Sequence, residues 1–204
     1  MLLAIDTSVG TAVAVVDRDA GVIAERSSAD TRWHAESIGT FIAECLAASG
    51  VLRTELSGVA IGMGPGPFTG LRVGIAAGRA FALGLGRPAL PVVSHDAVAY
   101  ERFLAGHTGG LSVVTDARRR ELYVTSYSGT DADGLPVRQT GPALAMVETL
   151  VTAQPRFDAA EVSAGALGML AERMCELGRL FAGGEAIYLR SPDVTVSARP
   201  KRVS

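Results

Sequence analysis

Residues 61–86, IGMGPGPFTGLRVGIAAGRAFALGLG, organise the rest of the chain. A short apolar run reaching Gly62 enters a loop with glycine or proline at four successive positions, Gly64 to Pro67, and the loop opens a helix apolar on nearly every side. A glycine-rich loop between a strand and a helix is the usual form of a phosphate site, because free amides at a helix N-terminus cradle anions. The details argue against that use. Thr69 stands where a dinucleotide fingerprint needs its third glycine, Gly70 arrives one residue late, and no lysine completes a Walker A loop. Pro65 and Pro67 remove two more amide donors.

The helix after the loop carries Gly70, Gly74 and Gly78 at i, i+4 and i+8, with Leu71, Ile75 and Ala82 on an adjacent face and Arg72 and Arg79 on a third. Such a helix belongs between core layers or against a partner. Upstream, Ile38, Phe41, Ile42, Cys45 and Leu46 keep the helical period, and Gly39, Ala43 and Ala47 make a second stripe of small residues. Glycine costs roughly 1 kcal/mol against alanine inside a helix, so Gly39 points to close approach by another backbone.

Outward from these helices, strands are expected at 2–5, 11–16 and 21–26, with Gly10 at positive φ in a tight turn. Downstream, the pattern predicts a strand at 89–93, a helix at 97–104 opened by Ser94-His95-Asp96, and a hinge at 106–110. A loop-rich stretch at 128–141, helices at 143–151 and 161–182, a strand at 186–189 and a basic tail at 197–204 complete the chain. Residues 2–6 with 11–16, and 112–116 with 121–126, are each an apolar strand ending in Asp, a tight connection and a second strand. That echo suggests two related lobes, 1–105 and 106–204, with Asp6 and Asp116 in equivalent places.

Composition excludes several classes. Lys201 is the only lysine among 204 residues, which removes P-loop, Schiff-base and kinase-type lysine chemistry from the fold. The net charge of −2 leaves no footprint for independent nucleic-acid binding. Cys45 and Cys175 lack metal-ligand spacing and fit a reducing cytosol. Residues 1–5 read as a first strand and not as a signal peptide, and no apolar run is expected to span a membrane.

LLAIDTS at the start, HAES with its helix, GPGPFTGLRVG with the helix after it, DARRRELY and the late YLR together resemble the TsaB (YeaZ) family of tRNA threonylcarbamoyladenosine biosynthesis. The resemblance implies an α/β fold of the actin-like ATPase (ribonuclease H-like, two-lobed) type, with mixed sheets and flanking helices. It implies a non-catalytic, cytoplasmic subunit without a cofactor. The subunit pairs with TsaD, the paralogue that holds a metal and transfers threonylcarbamoyl to the adenosine next to the anticodon. TsaE, a small ATPase, joins that pair, and tRNA is reached only through the complex.

Partner contact is then expected at His34, Glu36, Gly39, Ala43 and Ala47 on the first helix and at Phe68, Thr69, Gly70, Arg72, Gly74 and Gly78 on the second. Asp6, Thr7 and Ser8, with Asp116, would be relics of nucleotide-binding turns. Two departures remove hydroxyls: Ala35 and Pro67 replace the family's usual serines. The catalytic paralogue pairs two histidines four apart on a metal; here His95 is followed by Ala99, so no metal is expected and His95 reads as a helix N-terminal or surface residue.

A small-molecule kinase of the same fold is the alternative, but residues 117–120 offer no phosphate grip in the second turn. Peptidase chemistry fails for want of HExxH, paired histidines or a nucleophile–base pair. Arg118, Arg119 and Arg120 are a solvated turn or a contact for an acidic surface. An exposed apolar helical face also predicts self-association when the chain is alone.

Overall fold

The structure is a computed structural model that describes residues 1–31 and 33–190; the basic tail expected at 197–204 lies outside them. β1 (Leu2–Asp6) is buried along its whole length, as befits a strand covered on both faces. It pairs antiparallel with β2 (Thr11–Asp17), which pairs antiparallel with β3 (Gly21–Ser28). On its other edge β1 lies parallel to β4 (Gly58–Gly62), and β5 (Ala89–Val92) follows, giving the order β3-β2-β1-β4-β5. Parallel neighbours need crossovers. α1 (His34–Ser49) and α2 (Phe68–Leu85) supply them, each ended by a left-handed glycine, Gly50 and Gly86.

Alternation along the strands sorts the core. Leu3, Ile5, Val13, Val15 and Ile61 meet Ile38, Cys45, Leu71 and Ile75 of the two helices. Leu2, Ala4, Ala14, Val16 and Ala60 face the opposite way, into a second cluster.

α3 (Ser94–Leu104) leads to β6 (Leu111–Arg118), β7 (Glu121–Thr130) and β8 (Pro136–Met146), with β9 (Arg156–Asp158) parallel to β6. The second sheet runs β8-β7-β6-β9. Each sheet is therefore an antiparallel meander of three strands with a parallel strand on the far side of the first. The echo seen in the residues is an echo of topology, with Asp6 ending β1 and Asp116 near the end of β6.

Four local expectations are corrected. Residues 143–151 are the end of β8 and a turn, because the ladder Tyr123↔Leu144 and Glu121↔Met146 overrides the helix preference of alanine, leucine and methionine. The stretch 128–141 is mostly the β7–β8 hairpin. No strand forms at 186–189, where the Ile187 amide donates to the Met63 carbonyl at 2.8 Å. Gly10 is not among the positive-φ residues; its need is closeness, since a Cβ there would sit 2.4 Å from the Ser28 carbonyl oxygen.

The helix expected at 161–182 is α4 (Ala164–Glu176), capped by the Ser163 hydroxyl, which accepts from the Ala166 amide. α4 follows the second sheet but packs on the first, and α3 packs on the second sheet and on α4. A Cβ on Gly168 would lie 3.0 Å from Ala4 Cβ, so the helix rests directly on small side chains of the sheet. Leu111, Val113 and Tyr127 of the second sheet share one cluster with Leu167 and Leu170. The two sheets thus share a core across the 105/106 boundary.

α2 also departs from expectation in composition. It is long and apolar enough to cross a membrane by length and hydropathy alone, although it flanks a sheet here.

Candidate functional site

The β1–β2 turn is held from within. Asp6 Oδ1 accepts from the Ser8 amide (2.8 Å) and the Ser8 hydroxyl, and Oδ2 accepts from the Ser94 hydroxyl. Ser94 Oγ in turn accepts from the Gly64 amide at 3.0 Å. Burial pushes the Asp6 carboxyl above its ordinary range, against the pull of the Ser8 and Ser94 hydrogen bonds. A carboxylate so enclosed serves as a knot joining the turn, the glycine–proline loop and α3. Thr7 adds to it by donating to the Gly70 carbonyl at 2.8 Å.

Beside this knot lies a cleft of about 430 Å³. Thr7, Ser8 and His34 line it from the first sheet's side, Phe68, Thr69 and Gly70 from the start of α2, and Arg118, Tyr123 and Arg190 from the other side. His34 is buried, its Nδ1 is 2.7 Å from Thr11 Oγ1, and burial followed by the charge of Arg118 lowers its pKa. Arg118 reaches Thr31 Oγ1 at 2.8 Å from a turn in which Arg118, Arg119 and Arg120 all take positive φ. Its backbone amide donates to Asp116, which is exposed and lies outside the cleft lining. Arg190 is committed to Glu121 (3.2 Å) and the Ala117 carbonyl (2.9 Å). At the rim, the Arg72 guanidinium stacks 3.7 Å over the Phe68 ring, and Tyr188 packs on Phe68 with centroids 4.8 Å apart.

The expected glycine stripe turns the other way. A Cβ on Gly74 would lie 2.1 Å from Thr7 Oγ1, one on Gly78 2.8 Å from Ile61 Cδ1, and one on Gly70 2.8 Å from the Thr7 carbonyl oxygen. These three glycines let α2 settle on its own sheet. They are closed to a partner helix, which corrects the expectation that one would rest there. Gly39, Ala43 and Ala47 are different: all three are exposed, and a Cβ on Gly39 would meet nothing within 4 Å. With Ile42, Leu46 and Phe81 they line a shallow apolar groove of about 440 Å³. Thr69, Arg72 and Leu83 are exposed on α2, and Leu83 reaches 83% exposure. Glu36 is exposed in the first turn of α1, away from the buried His34.

His95 is helix N-terminal, the first of its two expected settings, and fully buried instead of at the surface, with Nδ1 2.8 Å from Thr125 Oγ1 and Nε2 2.9 Å from Thr115 Oγ1. Burial pushes its pKa down to about 3, so the ring is a neutral tie between α3 and the second sheet. Among the described residues, no group of three or more His, Cys, Asp or Glu is arranged to hold a metal.

Residue patterns singled out neither Ser94 nor Tyr123 as functional. Ser94 was visible only as a helix start; Tyr123 and Arg190 sat in the DARRRELY and YLR segments without a role of their own.

The two sheets with their flanking helices define a two-lobed α/β protein with a cleft lined by Arg118 and Arg190 between the halves. The chain belongs to the family described as TsaD: tRNA N6-adenosine threonylcarbamoyltransferase, whose profile matches residues 9–167. Within it the likeness is to the TsaB/YeaZ group. An uncharacterised protein of Mycobacterium tuberculosis is 40% identical over 145 residues, 70% of this chain and 64% of that one. The chain thus spans a little under two thirds of that relative. The tRNA threonylcarbamoyladenosine biosynthesis protein TsaB of Haemophilus influenzae is 34% identical over 60% of this chain and 51% of its own. A crystal structure described as an uncharacterised protein with similarity to peptidase YeaZ from Pseudomonas aeruginosa superposes with a TM-score of 0.78. That match, at 23% identity, covers 93% of this chain and 99% of that one and speaks to the fold.

Proposed function

We propose that the chain is a non-catalytic subunit in the formation of threonylcarbamoyladenosine on tRNA, binding a TsaD-type partner through the open face of α1 and α2. The observation that carries this reading is the groove along Gly39, Ala43 and Ala47, where small residues border apolar ones and stay exposed among the described residues. Small residues let a second helix approach closely, and the apolar flanks supply area to bury. The name of the Haemophilus influenzae relative supports the pathway. TsaE enters only through the TsaD-bound pair, and tRNA meets the assembled complex in the cytoplasm.

The non-catalytic reading rests on side chains already placed. Asp6 is sealed by Ser8 and Ser94, His95 is spent on two threonines, and among the described residues no carboxylate lines the cleft. A kinase would need an acidic base within reach of the attacking hydroxyl.

Co-purification with the cognate TsaD tests the reading. Ala43→Arg, at an exposed helical site, keeps the unfolding midpoint of the isolated chain and loses the complex, because a guanidinium buried without a partner opposes docking. A complex retained by both Ala43→Arg and Leu83→Asp would place the interface elsewhere. Gly74→Leu is unsuited to this test, since it strikes Thr7 inside the fold.

A further inference from the structure

We propose that residues 182–190 brace the mouth of the cleft, with Arg72 and Arg79 of α2 gripping the middle of this segment and Arg190 pinning its end to the β6–β7 hairpin. Loss of either grip lets the hairpin move away from α2. The brace is independent of the partner reading, which concerns the groove beside α1.

After α4 the chain runs back over the first half, and residues 182–190 form neither helix nor strand. Ordering such a segment costs conformational entropy at every residue, so specific contacts must offset it. Apolar burial is a small part of the answer. Ala186 packs on the first sheet's core, but Gly183, Gly184, Glu185 and Tyr188 are exposed. Polar ties do the rest. The Ala182 amide donates to the Pro91 carbonyl in β5 at 3.0 Å, and the Ile187 amide donates to the Met63 carbonyl just past β4 at 2.8 Å. Between them the Arg79 guanidinium donates to the Gly184 carbonyl. Arg72 Nε reaches the Tyr188 hydroxyl at 3.4 Å, and the rings of Tyr188 and Phe68 pack beneath its guanidinium.

Arg72 and Arg79 are the only charged residues of α2, and both turn to this segment. A guanidinium stacked on a ring is already oriented, so Arg72 has little freedom left to lose when it grips Tyr188. The far end of the brace belongs to the other wall. Arg190 Nη1 donates to the Ala117 carbonyl at 2.9 Å, and its Nε meets the Glu121 carboxylate at 3.2 Å, on the two strands that the turn at 118–120 joins. The paired side chains are 24% and 21% exposed, so water screens them less than it screens an open surface pair. One segment is thereby fastened to β5, the end of β4 and α2 on one side and to β6 and β7 on the other. Phe68 and Arg190 both line the cleft, which places the fastening at its mouth.

Distances between paired nitroxide labels on the isolated chain test the brace. Ala80→Cys on α2 and Glu148→Cys beside the hairpin turn are exposed sites, and a Cys175→Ser background leaves Cys45, which is buried, as the one natural thiol. Arg190→Gln releases the end of the segment. Arg72→Ala combined with Arg79→Ala releases its middle and alters no residue of the hairpin or of the cleft lining. Circular dichroism melts confirm that both variants fold. The expected result is one narrow distance in the labelled parent and, in both variants, a broader distribution with a longer population. A segment that merely covers the surface would leave the distance unchanged in the double variant, because its two arginines do not touch the hairpin. The proposal fails if either variant keeps the parent distribution, or if the parent already holds the longer population. No TsaD is present in this measurement, so its failure leaves the partner reading standing, and the reverse holds.

Discussion

His95 shows how a single side chain can look like one thing by position and be another by environment. The residue order allows a helix N-terminal or a surface imidazole; it is helix N-terminal, both its nitrogens are held by threonines and its pKa falls from 6.5 to about 3. The consequence for stability has a definite sign. The folded ring stays neutral while the unfolded ring takes a proton below pH 6.5. Stability from this group is therefore complete above pH 6.5 and is lost as pH falls toward 3, with a slope approaching about 1.4 kcal/mol per pH unit. Asp6 acts in the opposite sense: its raised pKa gives a contribution present below 3.8 and lost as pH rises through the folded value. Urea unfolding at pH 7 and pH 4.5 isolates the His95 part as the difference between wild type and His95→Gln, which narrows at the lower pH. A difference that is the same at both values would contradict the buried neutral imidazole. Nothing in the residue order could reveal the two threonines, because Thr115 and Thr125 meet His95 only once β6 and β7 have paired.

The elements carry the clearest lesson about what was legible. Periodicity located α1 and α2 and their small-residue stripes, and the repeated strand-to-Asp hairpin anticipated the paired topology of β1–β2 and β6–β7. Spacing alone cannot say which side a stripe faces. Gly74 lies against Thr7 while Gly39 meets open space, though both sit in i, i+4 patterns of small residues. Stability measurements separate them. Gly74→Ala puts a Cβ 2.1 Å from Thr7 Oγ1 and is expected to cost about 1–3 kcal/mol, as overpacking does. Gly39→Ala, exposed within a helix, is expected to stabilise by about 0.5–1 kcal/mol. Equal effects at the two sites would mean that the orientation of α2 is wrong. β8 was illegible for a related reason: its alanines, leucine and methionine favour a helix locally, and only the β7 ladder makes them a strand.

On the scale of the whole molecule, the boundary drawn at 105/106 divides the two sheets but not the core. α4 returns from the second half to lie on β1, β2 and β3, and Leu167 is completely buried there. Unfolding is accordingly expected as one cooperative transition, with circular dichroism and tyrosine fluorescence coincident. Leu167→Ala should lower stability by about 2–4 kcal/mol without splitting that transition. Two resolved transitions would show that the halves are independent.

The open face of α1 and α2 is the surface proposed to receive a TsaD-type partner. The most direct test of that role is the mass by light scattering of the chain mixed with its cognate TsaD, read beside the chain alone and beside Ala43→Arg. A heteromeric species containing both chains is expected for the wild type and is absent for Ala43→Arg, although that variant still folds. Separate elution of wild-type chain and TsaD, or a complex formed equally well by the variant, would contradict it.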